Sequence, residues 1–164
     1  MVMSSIEQTQ GVFIAPHKEK FEKIGKAIAK ALKKHGIELT VIDDEIPAGS
    51  LWIVNIQRTI ERADFIIADI TDENSNVMYE VGFAHALRKP VLPIVNRKVS
   101  KVPYVIAGYI YLVYDPENLD GLNEEIQYWA LRNRPKGKQT ETQPRSLAER
   151  AQARFKAKKL EQSS

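Results

Sequence analysis

The stretch from Ala63 to Ile94, ADFIIADITDENSNVMYEVGFAHALRKPVLPI, reads as strand, polar turn, helix and strand. Phe65 to Ala68 is a short apolar run of the kind found in strands buried on both faces. Asp69 to Ser75 is a polar turn, and Asn74 or Ser75 is placed to cap the helix that follows. Pro90 ends that helix, and Val91 to Val95 supplies a second apolar strand. A strand, a crossover helix and a strand make a parallel unit. In open α/β sheets a ligand binds outside the carboxyl ends of the strands. The polar residues of the turn therefore fall where a ligand would sit, with Glu80 in the first or second turn of the adjoining helix.

Working outward, the same alternation recurs. Gly11 to Pro16 reads as a first strand. Glu19 to His35 has helical spacing, with Phe21, Ile24, Ile28, Ala31 and Leu32 on one side, and Gly36 closes it. Ile37 to Ile42 is a second strand, residues 43–50 a loop, and Leu51 to about Arg62 a second helix that Ser50 would cap. Beyond Val95, Tyr109 to Tyr114 reads as a further strand and Leu119 to Arg132 as a last helix. The order β-α-β-α-β-α-β-β-α predicts an α/β fold, a flavodoxin-like three-layer sandwich around a four- or five-stranded, mostly parallel sheet.

Composition sets the bounds. The chain has 164 residues, 43% of them hydrophobic, enough for one domain with a sizeable core. There is no cysteine, which excludes disulfides, thiolate metal sites and cysteine catalysis. Met1 to Gln10 shows no secretory pattern and no apolar run is long enough to span a membrane, so a cytoplasmic location without a membrane partner is expected. The net charge of +3 is uneven: Arg132 to Ser164 holds ten Lys/Arg against three Asp/Glu, leaving fourteen against eighteen in the rest. The excess of base belongs to the tail, so nucleic acid is not the expected partner. The domain is expected over residues 11–134. A Lys-, Gln-, Thr- and Pro-containing linker begins at Pro135, and Ser146 to Gln162 has the spacing of a thin basic helix. No phosphate-binding glycine loop, zinc motif or serine elbow is present, and His17, His35 and His85 are too scattered for a metal site.

The pattern ADxIIADITxENSNVxYEVGxAHALxKPV resembles the nucleoside 2-deoxyribosyltransferase-like group and the related bacterial Toll/interleukin receptor (TIR)-like nucleotide-binding domains. Lys101 to Tyr114 is similar to the segment that follows in many of them, so the resemblance runs from about Val12 to Trp129. It implies that Glu80 is the functional centre. In the transferases the matching glutamate acts like a retaining glycosidase nucleophile, and in TIR-like NAD hydrolases it handles the nicotinamide-bearing ribose. Cleavage of an N-glycosidic bond is thus the implied chemistry, on a nucleoside or nucleotide, with no cofactor and no metal, and with NAD entering, if at all, as substrate. A homo-oligomer is expected from the resemblance and from the aromatics between Tyr104 and Tyr114.

Around Glu80, each position carries two readings. Asp69 would bind sugar hydroxyls or a base, or else hold an Asx turn. Asp72 would act on the leaving base, or be solvated. Asn74 and Asn76 would orient sugar or amide groups, or cap the helix. Tyr79 would stack a base, or belong to the core. Gly82 would let the helix approach the sheet, or leave room for ligand. Phe13 and Pro16, at the end of the first strand, would line the crevice. Three departures from the transferase pattern stand out. Asn74 occupies the place, six residues before Glu80, where those enzymes commonly carry an acid. Ile14-Ala15-Pro16-His17 replaces Ala-Gly-Pro, and Tyr104-Val105 replaces Phe-Asp. Loss of the acid weakens protonation of a leaving base. Transfer, hydrolysis and binding without turnover all stay open.

Overall fold

A computed structural model describes residues 8–42, 51–99 and 108–135. The elements are β1 (Thr9–Ile14), α1 (Glu19–Lys33), β2 (Ile37–Val41), α2 (Trp52–Arg62), β3 (Phe65–Asp69), α3 (Ser75–Ala86), β4 (Val91–Asn96), β5 (Leu112–Tyr114) and α4 (Asp120–Arg132). The five strands form one sheet in the order β2-β1-β3-β4-β5. Every neighbouring pair is parallel. The three-layer α/β sandwich read from the sequence is therefore the fold, with five strands, all parallel, among the described residues. The last strand is shorter than expected, Leu112–Tyr114. The linker and helix expected beyond residue 135, the loop 43–50 and its capping Ser50 lie outside the described residues.

The sheet divides the core in two. On one face Phe13, Phe65, Ile67 and Ile94 pack under Phe21, Ile24, Ile28 and Leu32 of α1 and Leu122, Ile126 and Ala130 of α4. On the other, Val12, Ile14, Ile66 and Ala68 pack under Ile56 and Ile60 of α2 and Val77, Val81 and Ala84 of α3. Alternate residues of one strand serve opposite layers because side chains alternate across a strand. β3 lies at the centre and every residue of it is buried, which is why its sequence runs apolar without alternation.

Close approach is carried by glycines that periodicity does not reveal. A β-carbon at Gly11 would lie 2.5 Å from the Phe65 ring, and one at Gly25 would lie 2.7 Å from Phe13. Gly82, read from the sequence as the close-packing glycine, is exposed, with nothing within 4 Å of where its β-carbon would stand. It faces away from the sheet, because it lies about 200° around the helix from Glu80 and outside the buried Val77/Val81/Ala84 column.

The end of α3 is set by geometry rather than by Pro90 alone. Lys89 N–H donates to the Ala84 carbonyl at 3.0 Å and Arg88 N–H to that of His85 at 2.8 Å, the double bond of a Schellman cap. The residue that turns the chain is Arg88, at φ 55°. Glycine normally fills that place, since a β-carbon is disfavoured there. Arg88→Gly is accordingly expected to stabilise the fold by up to ~1 kcal/mol, net of the extra freedom glycine gives the unfolded chain. Thermal unfolding would check it, and a lowered melting temperature would refute it. Lys89 then ties α2 to this corner, its Nζ donating to the carbonyls of Glu61 (2.6 Å) and Ala63 (2.7 Å).

Candidate functional site

The sheet order places a switch point between β1 and β3: the chain leaves β1 toward β2 on one side and adds β3, β4 and β5 on the other. Ligand crevices form at such points, outside the carboxyl ends. The segments that meet there are those after Ile14 and after Asp69. Lys18 and Lys20, from the first, reach Asp72, from the second, at 2.7 and 3.4 Å. The hydrogen bond from Lys18 holds the Asp72 carboxyl below its ordinary range, so it is ionised near neutral pH. All three side chains are at least one-third exposed. Such a pair contributes ~1 kcal/mol or less and fixes geometry more than stability.

Asn74 is the N-cap of α3. Its Oδ1 accepts from the N–H groups of Asn76 (2.9 Å) and Val77 (3.2 Å). Its side chain is thus engaged by the helix end, which is the capping alternative of the two readings. Glu80 follows six residues on, in the second turn, where the field of the helix end has largely fallen away. It is 3% exposed. On a helix turning about 100° per residue it sits at the rim of the buried Val77/Val81/Ala84 column, on the side of Asn76. Beside it, Tyr79 is half exposed, and its hydroxyl accepts a hydrogen bond of 2.9 Å from Gln57 of α2. That contact joins α2 and α3 through the residue that precedes Glu80 in sequence. Asn76 and Gly82 are exposed on the same helix.

Asp69 differs from its ligand-binding reading. It is 0% exposed. One carboxylate oxygen accepts from Thr71 N–H (3.0 Å) and Thr71 Oγ1 (2.5 Å), and the other accepts from the Tyr114 hydroxyl (2.6 Å). The bond to Thr71 N–H is an Asx turn, so the turn-holding alternative is the one observed. Burial pushes the Asp69 carboxyl above its ordinary value, against these hydrogen bonds, and pushes the Tyr114 phenol up as well.

Phe13 and Pro16 line a small cleft of about 80 Å³ with His17, Phe21 and Ile42, beside the ends of β1 and β2. Phe13 itself is buried and packs on the α1 layer. Glu80 lies on α3, in the opposite layer, and does not line this cleft. Glu80, Asn76 and Tyr79 therefore gather on one helix, whereas Phe13 and Pro16 belong to a cleft on the far face of the sheet. Sequence reading missed Thr71, Tyr114 and Gln57. Tyr114 meets Asp69 across 45 positions, and no local pattern marks such a pairing.

His85 stacks on Tyr109, with ring centroids 4.8 Å apart and planes 11° from parallel. Its Nε2 is buried without a hydrogen-bond partner. Burial lowers its pKa below the usual 6.5, so between these values the unfolded chain binds a proton that the folded chain does not. Stability is then expected to fall as pH drops below about 6.5. His85→Gln should remove that part of the slope. Denaturant midpoints at pH 7.5 and 5.5 for both proteins would show it, and an identical slope in the variant would refute it.

Among the described residues no group of three His, Asp or Glu is placed to hold a metal ion, and no helix is long and apolar enough to cross a membrane. No curated protein matches the sequence. Solved structures share the fold. A CMP N-glycosidase from Clostridium botulinum is 20% identical, with TM-score 0.57, covering 73% of this chain and 98% of that one. The TIR domain of a Toll-related receptor from Hydra magnipapillata is 18% identical, with TM-score 0.58, covering 74% and 97%. A 2-deoxyribosyltransferase from Bacillus psychrosaccharolyticus is 16% identical, with TM-score 0.55, covering 70% and 90%. The family model described as TIR domain matches residues 12–136, from β1 past the end of α4, and the chain belongs to the TIR domain family.

Proposed function

We propose that the protein cleaves the N-glycosidic bond of a nucleoside or nucleotide, with Glu80 as the carboxylate that meets the anomeric carbon. The observation that carries this reading is an acidic side chain, 3% exposed, set in the second turn of a helix that starts from the ligand-facing edge of a parallel sheet. A carboxylate suits the reaction because positive charge develops on the sugar as the base leaves. Screened from water, its attraction to that charge is stronger than in bulk solvent.

The neighbouring acids bear on which base can leave. Asp72 is held ionised by Lys18, both Asp69 oxygens are engaged, and Asn74 has no proton of carboxyl type to give. None of these three is poised to protonate a departing purine or pyrimidine. A base that is already cationic in the substrate needs no such acid. This favours hydrolysis of a pyridinium N-riboside such as NAD over transfer between deoxynucleosides. Asp43, Asp44 and Glu45 lie outside the described residues.

The experiment is product analysis after incubation with deoxynucleosides, nucleoside monophosphates and NAD, beside the Glu80→Gln variant. Free nicotinamide or free base from the parent protein alone would support the reading and name the substrate class. No product from any of them would refute it and leave a nucleotide-binding or interaction domain.

A further inference from the structure

We infer that Asp69 is a positioning residue for Glu80, acting with Tyr114 and Thr71 through a buried frame that joins the carboxyl ends of three adjacent strands. The inference rests on the reading of Glu80 as the reacting carboxylate. Asp69 ends β3 and Tyr114 ends β5, and the Tyr114 hydroxyl donates to Asp69 at 2.6 Å. Between them β4 is tied in, since Asn96 N–H donates to Thr71 Oγ1 at 2.9 Å. The Thr71 hydroxyl in turn donates a hydrogen bond to Asp69. One carboxylate, one hydroxyl and one phenol thus link β3, β4 and β5 at the carboxyl edge of the sheet.

The frame costs stability. All three donors to Asp69, the Thr71 N–H, the Thr71 hydroxyl and the Tyr114 hydroxyl, are neutral, and a buried carboxylate without a cation is held against its loss of hydration. What the arrangement secures is geometry, because a fully satisfied buried network admits few alternative arrangements. Four residues, Ile70 to Glu73, separate Asp69 from the N-cap Asn74. Ile70 is pinned, its N–H donating to the Ile94 carbonyl at 3.0 Å, and Asn74 N–H closes back on Asp72 O at 2.5 Å. So short a path transmits the position of the strand end to the start of α3. A slip of one residue in that start would rotate Glu80 by about 100° away from its place at the rim of the buried column. A displacement of about 1 Å at a reacting group can cost roughly 10²-fold in rate.

The test uses Tyr114→Phe, which removes one hydroxyl and leaves the ring packed, and Asp69→Asn as the stronger perturbation. With the substrate that the parent protein turns over, Tyr114→Phe is expected to lower kcat about tenfold and Asp69→Asn about a hundredfold, KM staying within about twofold. Amide hydrogen exchange supplies a readout that does not depend on turnover. In Tyr114→Phe, amides from Met78 to Val81 should exchange at least about tenfold faster, while those from Ile24 to Ile28 of α1 stay as they are. Unchanged kcat, or faster exchange spread equally over α1 and α3, would overturn the inference. If the parent protein releases no base from any substrate, the glycosidic reading fails by itself. Exchange then still decides the frame: local loosening of α3 supports it and its absence overturns it. Should Asp69→Asn not fold, Tyr114→Phe carries the test.

Discussion

Glu80→Gln is expected to lower base release by at least about 10³-fold while leaving the melting temperature within a few degrees of the parent. The side chains have the same shape, so the packing of α3 against Val12, Ile66 and Ala68 is retained. The amide lacks the negative charge that stabilises an oxocarbenium-like sugar, and it is a far weaker nucleophile at the anomeric carbon. Loss of one member of a catalytic triad in other hydrolytic sites removes about 10⁴- to 10⁶-fold, so 10³ is a conservative floor. Separate measurement of kcat and KM distinguishes the two tasks assigned to the carboxylate. A kcat effect alone marks a group acting in the transition state, and a KM effect alone marks binding of the ribose. Undiminished turnover in a folded variant would remove Glu80 from the chemistry.

The second large effect concerns the centre of the sheet. Phe65→Ala is expected to destabilise the fold by ~3–5 kcal/mol, which for a domain of ordinary stability is a large share of the whole. Phe65 is 0% exposed on the middle strand. Its ring meets Trp129 of α4 edge-on at 5.5 Å and fills the space over Gly11. Deleting it opens a cavity shared by the sheet and α4. The same geometry predicts a coupling. Gly11→Ala alone drives a methyl group into the Phe65 ring and should cost ~1–3 kcal/mol. Added to Phe65→Ala it has room, so the pair should cost clearly less than the sum of the two changes. Chemical denaturation of the two single variants and the double variant would measure this, and strict additivity would refute the contact.

The fold was legible because its elements announce themselves locally. The run from Phe65 to Ala68, the cap at Asn74 and the helical spacing of Phe21, Ile24, Ile28 and Leu32 each depend on neighbours a few positions away. Glu80 was legible in a different sense, as a position within a motif. Sequence pattern put it on a helix beside a strand end, but could not show that Phe13 and Pro16 face a cleft in the opposite layer. Gly82 was assigned a packing role that Gly11 and Gly25 perform. A glycine in a sequence signals that a side chain is absent, and what fills the space comes from another part of the chain.

The sequence by itself determined the order of strands and helices and the parallel sheet they imply, which follow from periodicity, caps and turn residues, whose interactions span only a few positions. It pointed to Glu80 through the resemblance of its motif to a known family. Tertiary structure alone decided the rest. It buried Asp69 with Tyr114 from 45 positions away, spent Asn74 on the helix end, paired ionised Asp72 with Lys18 and Lys20, and tied Tyr79 of α3 to Gln57 of α2. Hydrogen bonds and ion pairs between distant segments exist only once the sheet has assembled, and whether a carboxyl group is free to meet a ligand depends on those partners.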